Sequence, residues 1–497
     1  MKSSSHKHNT KTLRLNFGGG DVPSLHPHHL QSDVWGRALS KLLFEGLTRI
    51  NQKGDPELTG ANSVAISSDG THYTFLLREQ KWSDGSNVTA SHYEHAWKAA
   101  LSPTSDSAWS HLLYVIKGAK EAKLNQCPLE EVNVRALDEK TLEVQLEYPA
   151  PYFLELLSHP IFMPVKDLKD PICFNGPFVI DSWEKEYCLH LKANSNFWNR
   201  EAITLEAIDI SMLKDPSTAF TLYEKGDIDW IGAPISTLTH EDSEYLMKKQ
   251  KLHLHEVNRP FWIFFNTEKS PFTSASIRQA FSLAFDRSLV ESIFIGGKPL
   301  HTPLPKSLSL SRISFDFNEH LAKQSFQKGL EELQLNKASF PPIILSHFNA
   351  ASHKRLMELL KESWENTLGI KVQLVGLDWH SFLDSLKKGN FQIGGCIVSS
   401  LVNDPIELLE RFEGNAIYNF SNWDCPSYTE KIMQARESLK SDSRRQFLRE
   451  AEEILAEEVP FLSITDNPHA YSARKNLKGF IFDNAGSIDM AYSYFED

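Results

Sequence analysis

Three histidines, His26, His28 and His29, fall together in the stretch PSLHPHH at residues 23–29. Clustered imidazoles can hold a soft divalent metal. A solvent-facing loop is the competing reading and the one expected, so no metal ligand is assigned. Five cysteines, Cys127, Cys173, Cys188, Cys396 and Cys425, contain no CxxC pair, so neither a zinc ribbon nor a thioredoxin-type site is signalled. Cys173 with Cys188, or Cys396 with Cys425, could pair in an oxidising compartment; buried free thiols are expected, since a free Cys behaves as a small apolar residue. Gly18-Gly19-Gly20 follows a strand pattern without completing GxGxxG, so no dinucleotide fingerprint forms. No GxSxG elbow, P-loop, HExxH or EF-hand loop occurs. Carboxylates abound, but sequence alone cannot pair two of them across a site. Glu452, Glu453, Glu457 and Glu458 read as a solvated helix face. The pattern favours a binding protein over an enzyme, with no cofactor.

The chain that must position such residues has 497 of them, 41% hydrophobic and 23% charged. Single cores rarely grow beyond about 250–300 residues, so two or three lobes are expected. The 52 Lys and Arg against 64 Asp and Glu leave a net charge of −12. That balance argues against a general nucleic-acid binder, which needs a basic face. No run approaches the roughly 18 unbroken apolar residues of a membrane span. Residues 1–12 are polar and lack the apolar core of a secretory signal; the protein is cytoplasmic, or a signal has been removed.

Alternation at 13–17 and 141–146 predicts strands, as do the runs at 58–78, 178–183, 188–193 and 208–213. The segment 261–266, FWIFFN, is apolar on both faces, as a buried strand is. Further strands are expected at 343–346, 370–374 and 391–398. Helical spacing appears at 33–43, at 89–100 behind Thr89 or Ser91, at 218–224, behind Ser276, at 353–368 up to Gly369, and at 442–458. Strands and helices alternate, so the class is α/β.

Ser24-Leu25-His26-Pro27-His28 with Leu43-Phe44-Glu45-Gly46-Leu47 resembles the opening of the oligopeptide/dipeptide class of extracellular solute-binding proteins, family 5. Tyr73-Thr74-Phe75, Lys81-Trp82-Ser83-Asp84-Gly85 and Val88-Thr89-Ala90 continue the match. Asn175-Gly176-Pro177-Phe178, Gly226-Asp227-Ile228-Asp229, Ile277-Arg278-Gln279-Ala280 and Asp378-Trp379 follow in the same order. The resemblance spans about residues 13–480. It implies a type II periplasmic-binding-protein-like clamshell of two lobes plus a small extra domain: lobe I from 13–43, 164–256 and 469–497, an accessory domain at 44–163, and lobe II at 257–468. It further implies capture of oligopeptides or peptide-like solutes and delivery to an ABC importer, its permease subunits and their ATPases. A monomer in the periplasm or at the cell surface goes with that reading.

The resemblance carries over to particular residues. Trp379 falls at an aromatic pocket wall and His353 at a carboxylate-facing position, with core and helix surface as the respective alternatives. Ser399 and Ser400 fall where main-chain contacts to the ligand are expected. In peptide-binding relatives, an Asp four residues before a Pro holds the ligand ammonium; before Pro405 that place is Leu401. The position of a charge-gripping Arg just upstream is occupied by Gly394-Gly395-Cys396. Removing one partner of a buried ion pair typically costs about 3–5 kcal/mol. Either Asp404 or Glu407 substitutes, or the ligand lacks a conventional amino terminus. Glutathione, a cell-wall peptide or a nickel chelate are the alternative cargoes. A sensor module behind a helix-turn-helix is the alternative role, for which the residues before Leu13 leave no room.

Overall fold

The structure is a computed structural model that describes residues 11–22, 24–29, 34–167, 173–414 and 416–496. Of the residues read above, 1–10, Pro23 and Asp33 lie outside these. The chain divides into two compact units, Met1–Leu254 with His469–Asp497, and His255–Pro468.

In the first unit, strand Thr12–Asn16 runs parallel to Ala207–Ser211, which continues antiparallel through Cys188–Ala193 to Phe178–Glu184. Its period-two pattern buries Leu13, Leu15, Ile208, Ile210, Leu189 and Leu191 on one face. A second, wholly antiparallel sheet joins Ala61–Ile66, His72–Leu77, Thr141–Gln145 and Val134–Ala136. Helix Ala90–Ala100 lies on it and buries Tyr93, Ala96, Trp97 and Ala100. Thr89 is its cap: its N–H donates to His92 Nδ1 at 2.9 Å, the return half of a capping box.

The histidine stretch departs from its expected exposure. His26 and His28 are buried, with only His29 open. His28 Nε2 bonds the Met163 carbonyl at 3.0 Å and its N–H donates to His26 Nδ1 at 3.1 Å. Burial first, then His26, holds the His28 imidazole down at about 3. Among the described residues, no group of three or more His, Cys, Asp or Glu is placed to hold a metal ion. All five cysteines are free thiols; Cys396 is buried and the other four are half-buried.

The second unit is built on a six-stranded sheet. Its order is Lys298–Pro299, Phe461–Asp466, Pro260–Phe265, Ile393–Ile397, Ile343–Phe348, Val372–Leu377. The last three strands are parallel and the rest antiparallel. Pro260–Phe265 is buried at every position, as its two-sided apolarity requires. Phe261, Ile263 and Phe265 face a core shared with Ile277, Phe281, Leu356, Leu360 and Trp364. Gly395 lets that face close up, since a Cβ there would stand 2.3 Å from Ile263 Cδ1. Helix Ala275–Leu283 is capped by Ser274, whose hydroxyl accepts from Ile277 N–H, rather than by Ser276. Ser276 instead donates to Glu332.

Glu452 corrects the expectation of a solvated face on helix Ser441–Glu458. It is fully buried, accepting from Ser309 Oγ at 2.6 Å and from the Leu310 and Ser311 N–H groups at 2.6 and 2.8 Å. An acidic residue at a core-facing position is tolerated because three donors replace its water.

Candidate functional site: the C-terminal strand edge of the second unit

Strands Ile343–Phe348, Val372–Leu377 and Ile393–Ile397 point the same way and end on one edge of the sheet. Helix Ala351–Leu368 links the first to the second. Helix Trp379–Lys387 then returns the chain past the first strand, so that Ile393–Ile397 lies on its other side. The two helices cover opposite faces: Leu356, Leu360 and Trp364 share the core of Phe261 and Ile263, whereas Phe382 and Leu386 close on Gly394. The strand order therefore reverses at Ile343–Phe348, and such a reversal opens a crevice beyond the carboxyl ends, where ligands of open α/β sheets bind.

Aromatic side chains line this edge. Phe348 ends its strand and meets the His353 ring at 5.6 Å and the Trp379 ring at 5.5 Å, both edge-on. His353 also lies 5.0 Å from the Phe261 ring. Trp379 is half-buried as the first residue of its helix, behind the cap Asp378, which accepts from Ser381 N–H at 3.1 Å. Burial, then the neighbouring His347, lowers His353 from 6.5 to about 4. It is a neutral imidazole at pH 7, and its Nδ1 is buried with no hydrogen-bond partner among the described residues.

Beyond Ile397 the chain keeps pairing along one side only. Val398 N–H donates to the Pro260 carbonyl and Ser400 N–H to the Asn258 carbonyl, each at 2.9 Å. Ser400 is fully buried and its hydroxyl donates to the Val402 carbonyl at 2.7 Å. Ser399 faces the other way. Among the described residues neither its N–H nor its hydroxyl has a partner, and its carbonyl accepts from Arg411 Nη2 at 3.0 Å. A strand end with an open N–H is a template for an added extended segment.

The carboxylates of this loop are taken. Asp404 receives both Nη atoms of Arg444, at 2.8 and 2.9 Å, and caps helix Pro405–Leu409 through Ile406 N–H at 3.0 Å. Glu407 accepts from Arg411 and, at 3.3 Å, from Leu401 N–H. Neither therefore supplies the free negative charge that would replace the one missing at Leu401, itself buried at 8% exposure. The positions expected from the sequence are Trp379, His353, Ser399, Ser400, Leu401 and Asp404. Phe348 and the Phe261 ring join the first two. The two serines and Leu401 form one continuous stretch, and Asp404 turns to Arg444. Phe348, Arg411 and Arg444 went unnoticed. Glu407 and Arg411 stand at i and i+4, a spacing visible in the sequence, but nothing local ties Arg444 to Asp404.

This fold is the α/β class of type II periplasmic binding proteins. A family model described as bacterial extracellular solute-binding proteins, family 5, matches residues 56–420, and the chain belongs to that family. Among its relatives, the oligopeptide-binding protein OppA of Bacillus subtilis is 32% identical, over 95% of this chain and 91% of the relative. The dipeptide-binding protein DppE of the same organism is 28% identical, over 91% and 86%. The substrate-binding domain of an oligopeptide ABC transporter from Bacillus anthracis superposes with a TM-score of 0.82 at 25% identity, covering 98% of this chain and 99% of that one. The Escherichia coli murein tripeptide binding protein MppA shares the fold with a TM-score of 0.85 at 23% identity, over 98% and 99%.

Proposed function

We propose that this protein captures short peptides or peptide-like solutes on the C-terminal strand edge of its second unit and delivers them to an ABC importer, without altering their covalent bonds. The observation that carries the reading is Ser399, whose N–H and hydroxyl have no partner among the described residues where the paired strand runs out. An extended guest docks there by main-chain hydrogen bonds, which every peptide can offer. Ser400, held by Asn258 and its own turn, sets the register. Trp379 and Phe348 give side chains an apolar wall of modest selectivity, and His353 offers a neutral imidazole to a polar group.

The relatives named for oligopeptides and dipeptides support this cargo. In this reading the residues at 257–468 form the lobe that carries the edge. Those at 13–43, 164–256 and 469–497 form the other, with 44–163 as an accessory domain. The protein works as a monomer in the periplasm or at the cell surface, and permease subunits with their ATPases are its partners. A guest that binds one conformation better shifts the population by that difference in affinity, so binding itself supplies the signal for delivery.

Isothermal titration with a pool of short peptides tests the proposal. Saturable heat from one or more peptides, with each recovered unchanged, is expected. No heat from any peptide, or a cleaved product, refutes it.

A further inference from the structure

The residues around Ser399 set the charge that a guest can carry there. Asp404 is held bidentately by Arg444, and Glu407 spends one oxygen on Arg411 and the other on Leu401 N–H. Leu401 adds an apolar side chain. Donors, by contrast, are in surplus. Among the described residues the Ser399 N–H and hydroxyl have no partner, and Arg411 uses only Nη2, with Nε and Nη1 likewise unpartnered. The Arg411 guanidinium retains 18% side-chain exposure, with the Tyr418 ring 5.8 Å from it. An ammonium brings only donors and needs acceptors. Seated here it would face filled carboxylates and a guanidinium of its own sign, at a partly desolvated edge where such a mismatch is poorly screened.

Resting on the peptide reading above, we infer that this edge takes the end of a guest bearing oxygen acceptors and no ammonium, with Arg411 as the residue that sets this preference. Two sources supply that chemistry, an acyl-blocked amino terminus and a free carboxylate. Glu407 is the positioning partner: it accepts from the Arg411 Nη2 that also meets the Ser399 carbonyl, and it accepts from the Leu401 N–H.

The test is titration with three forms of tetra-alanine: ammonium only (free amine, amidated), uncharged (acetylated, amidated) and carboxylate only (acetylated, free acid). The ammonium-only form is expected to bind at least tenfold more weakly than the uncharged one. If the carboxylate-only form binds tighter than the uncharged form, the acceptor is a carboxylate; equal binding makes it the acyl carbonyl. Ammonium-only binding as tight as uncharged binding overturns the inference while leaving peptide capture intact. Binding of none overturns both. Arg411→Met, which frees Glu407, is expected to shift the ratio at least tenfold toward the ammonium form. An unchanged ratio in a variant with wild-type circular dichroism removes Arg411 from the account. The three wild-type titrations stand whether or not that variant folds.

Discussion

Replacing His353 by Gln should change how stability depends on pH far more than stability at neutral pH. Its imidazole is packed between Phe261 and Phe348, and burial lowers it from 6.5 to about 4. In the unfolded chain it titrates near its ordinary value. Above pH 6.5 both states carry it neutral and it contributes no pH dependence. As pH falls below 6.5 the unfolded state takes up a proton that the folded state refuses, so stability is lost until the pH reaches about 4. At about 1.4 kcal/mol per unit the full loss is about 3.5 kcal/mol, of which about 2.5 kcal/mol is already gone at pH 4.5. Glu410 and Asp466, raised by burial to about 7 and about 6, act in the opposite sense. They are common to both proteins and cancel in the difference. Urea denaturation of wild type and His353→Gln at pH 7.5 and 4.5 reads the effect directly. The wild type should lose about 2–3 kcal/mol more than the variant across that interval. Parallel losses would show that His353 is not held neutral, and would remove the uncharged imidazole from the site.

Leu401→Asp adds an unfilled carboxylate where Asp404 and Glu407 are already paired and should strengthen binding of free-amine peptides by at least tenfold in a titration; unchanged affinity would place the charge away from the guest. Glu452→Gln replaces one acceptor oxygen by a donor against three donors, and should lower stability by about 1–3 kcal/mol in urea melts. A cost near zero would mean that the 309–311 loop finds other partners. Gly395→Val drives a side chain into Ile263 and the Trp262 carbonyl, 2.3 and 2.8 Å from the added Cβ. Overpacking of that severity should exceed the usual 1–3 kcal/mol and show as loss of soluble protein or a drop in melting temperature of more than about 5 °C.

The sequence made most elements of the second unit legible because their period was clean. FWIFFN could only be a strand covered on both faces, and the helix that begins at Ala351 ends at Gly369 in the left-handed conformation that favours glycine. Failures came where an environment overrode composition. His26 and His28 looked like loop surface, yet a carbonyl and a neighbouring imidazole let them sink. Glu452 looked solvated, yet donors 141 to 143 residues away receive it. At the site, Trp379 and the 399–401 stretch were named from the resemblance. That Asp404 and Glu407 are neutralised depends on Arg444 and Arg411, and an ion pair forty residues apart has no local signature.

Hydrogen–deuterium exchange of the 397–402 segment, with and without a saturating short peptide, is the most direct measurement. The account predicts that the open Ser399 amide exchanges fast in the free protein and slows at least tenfold when the guest strand pairs with it. A peptide that binds by titration yet leaves exchange in this segment unchanged would contradict the site, and with it the reading of this strand edge.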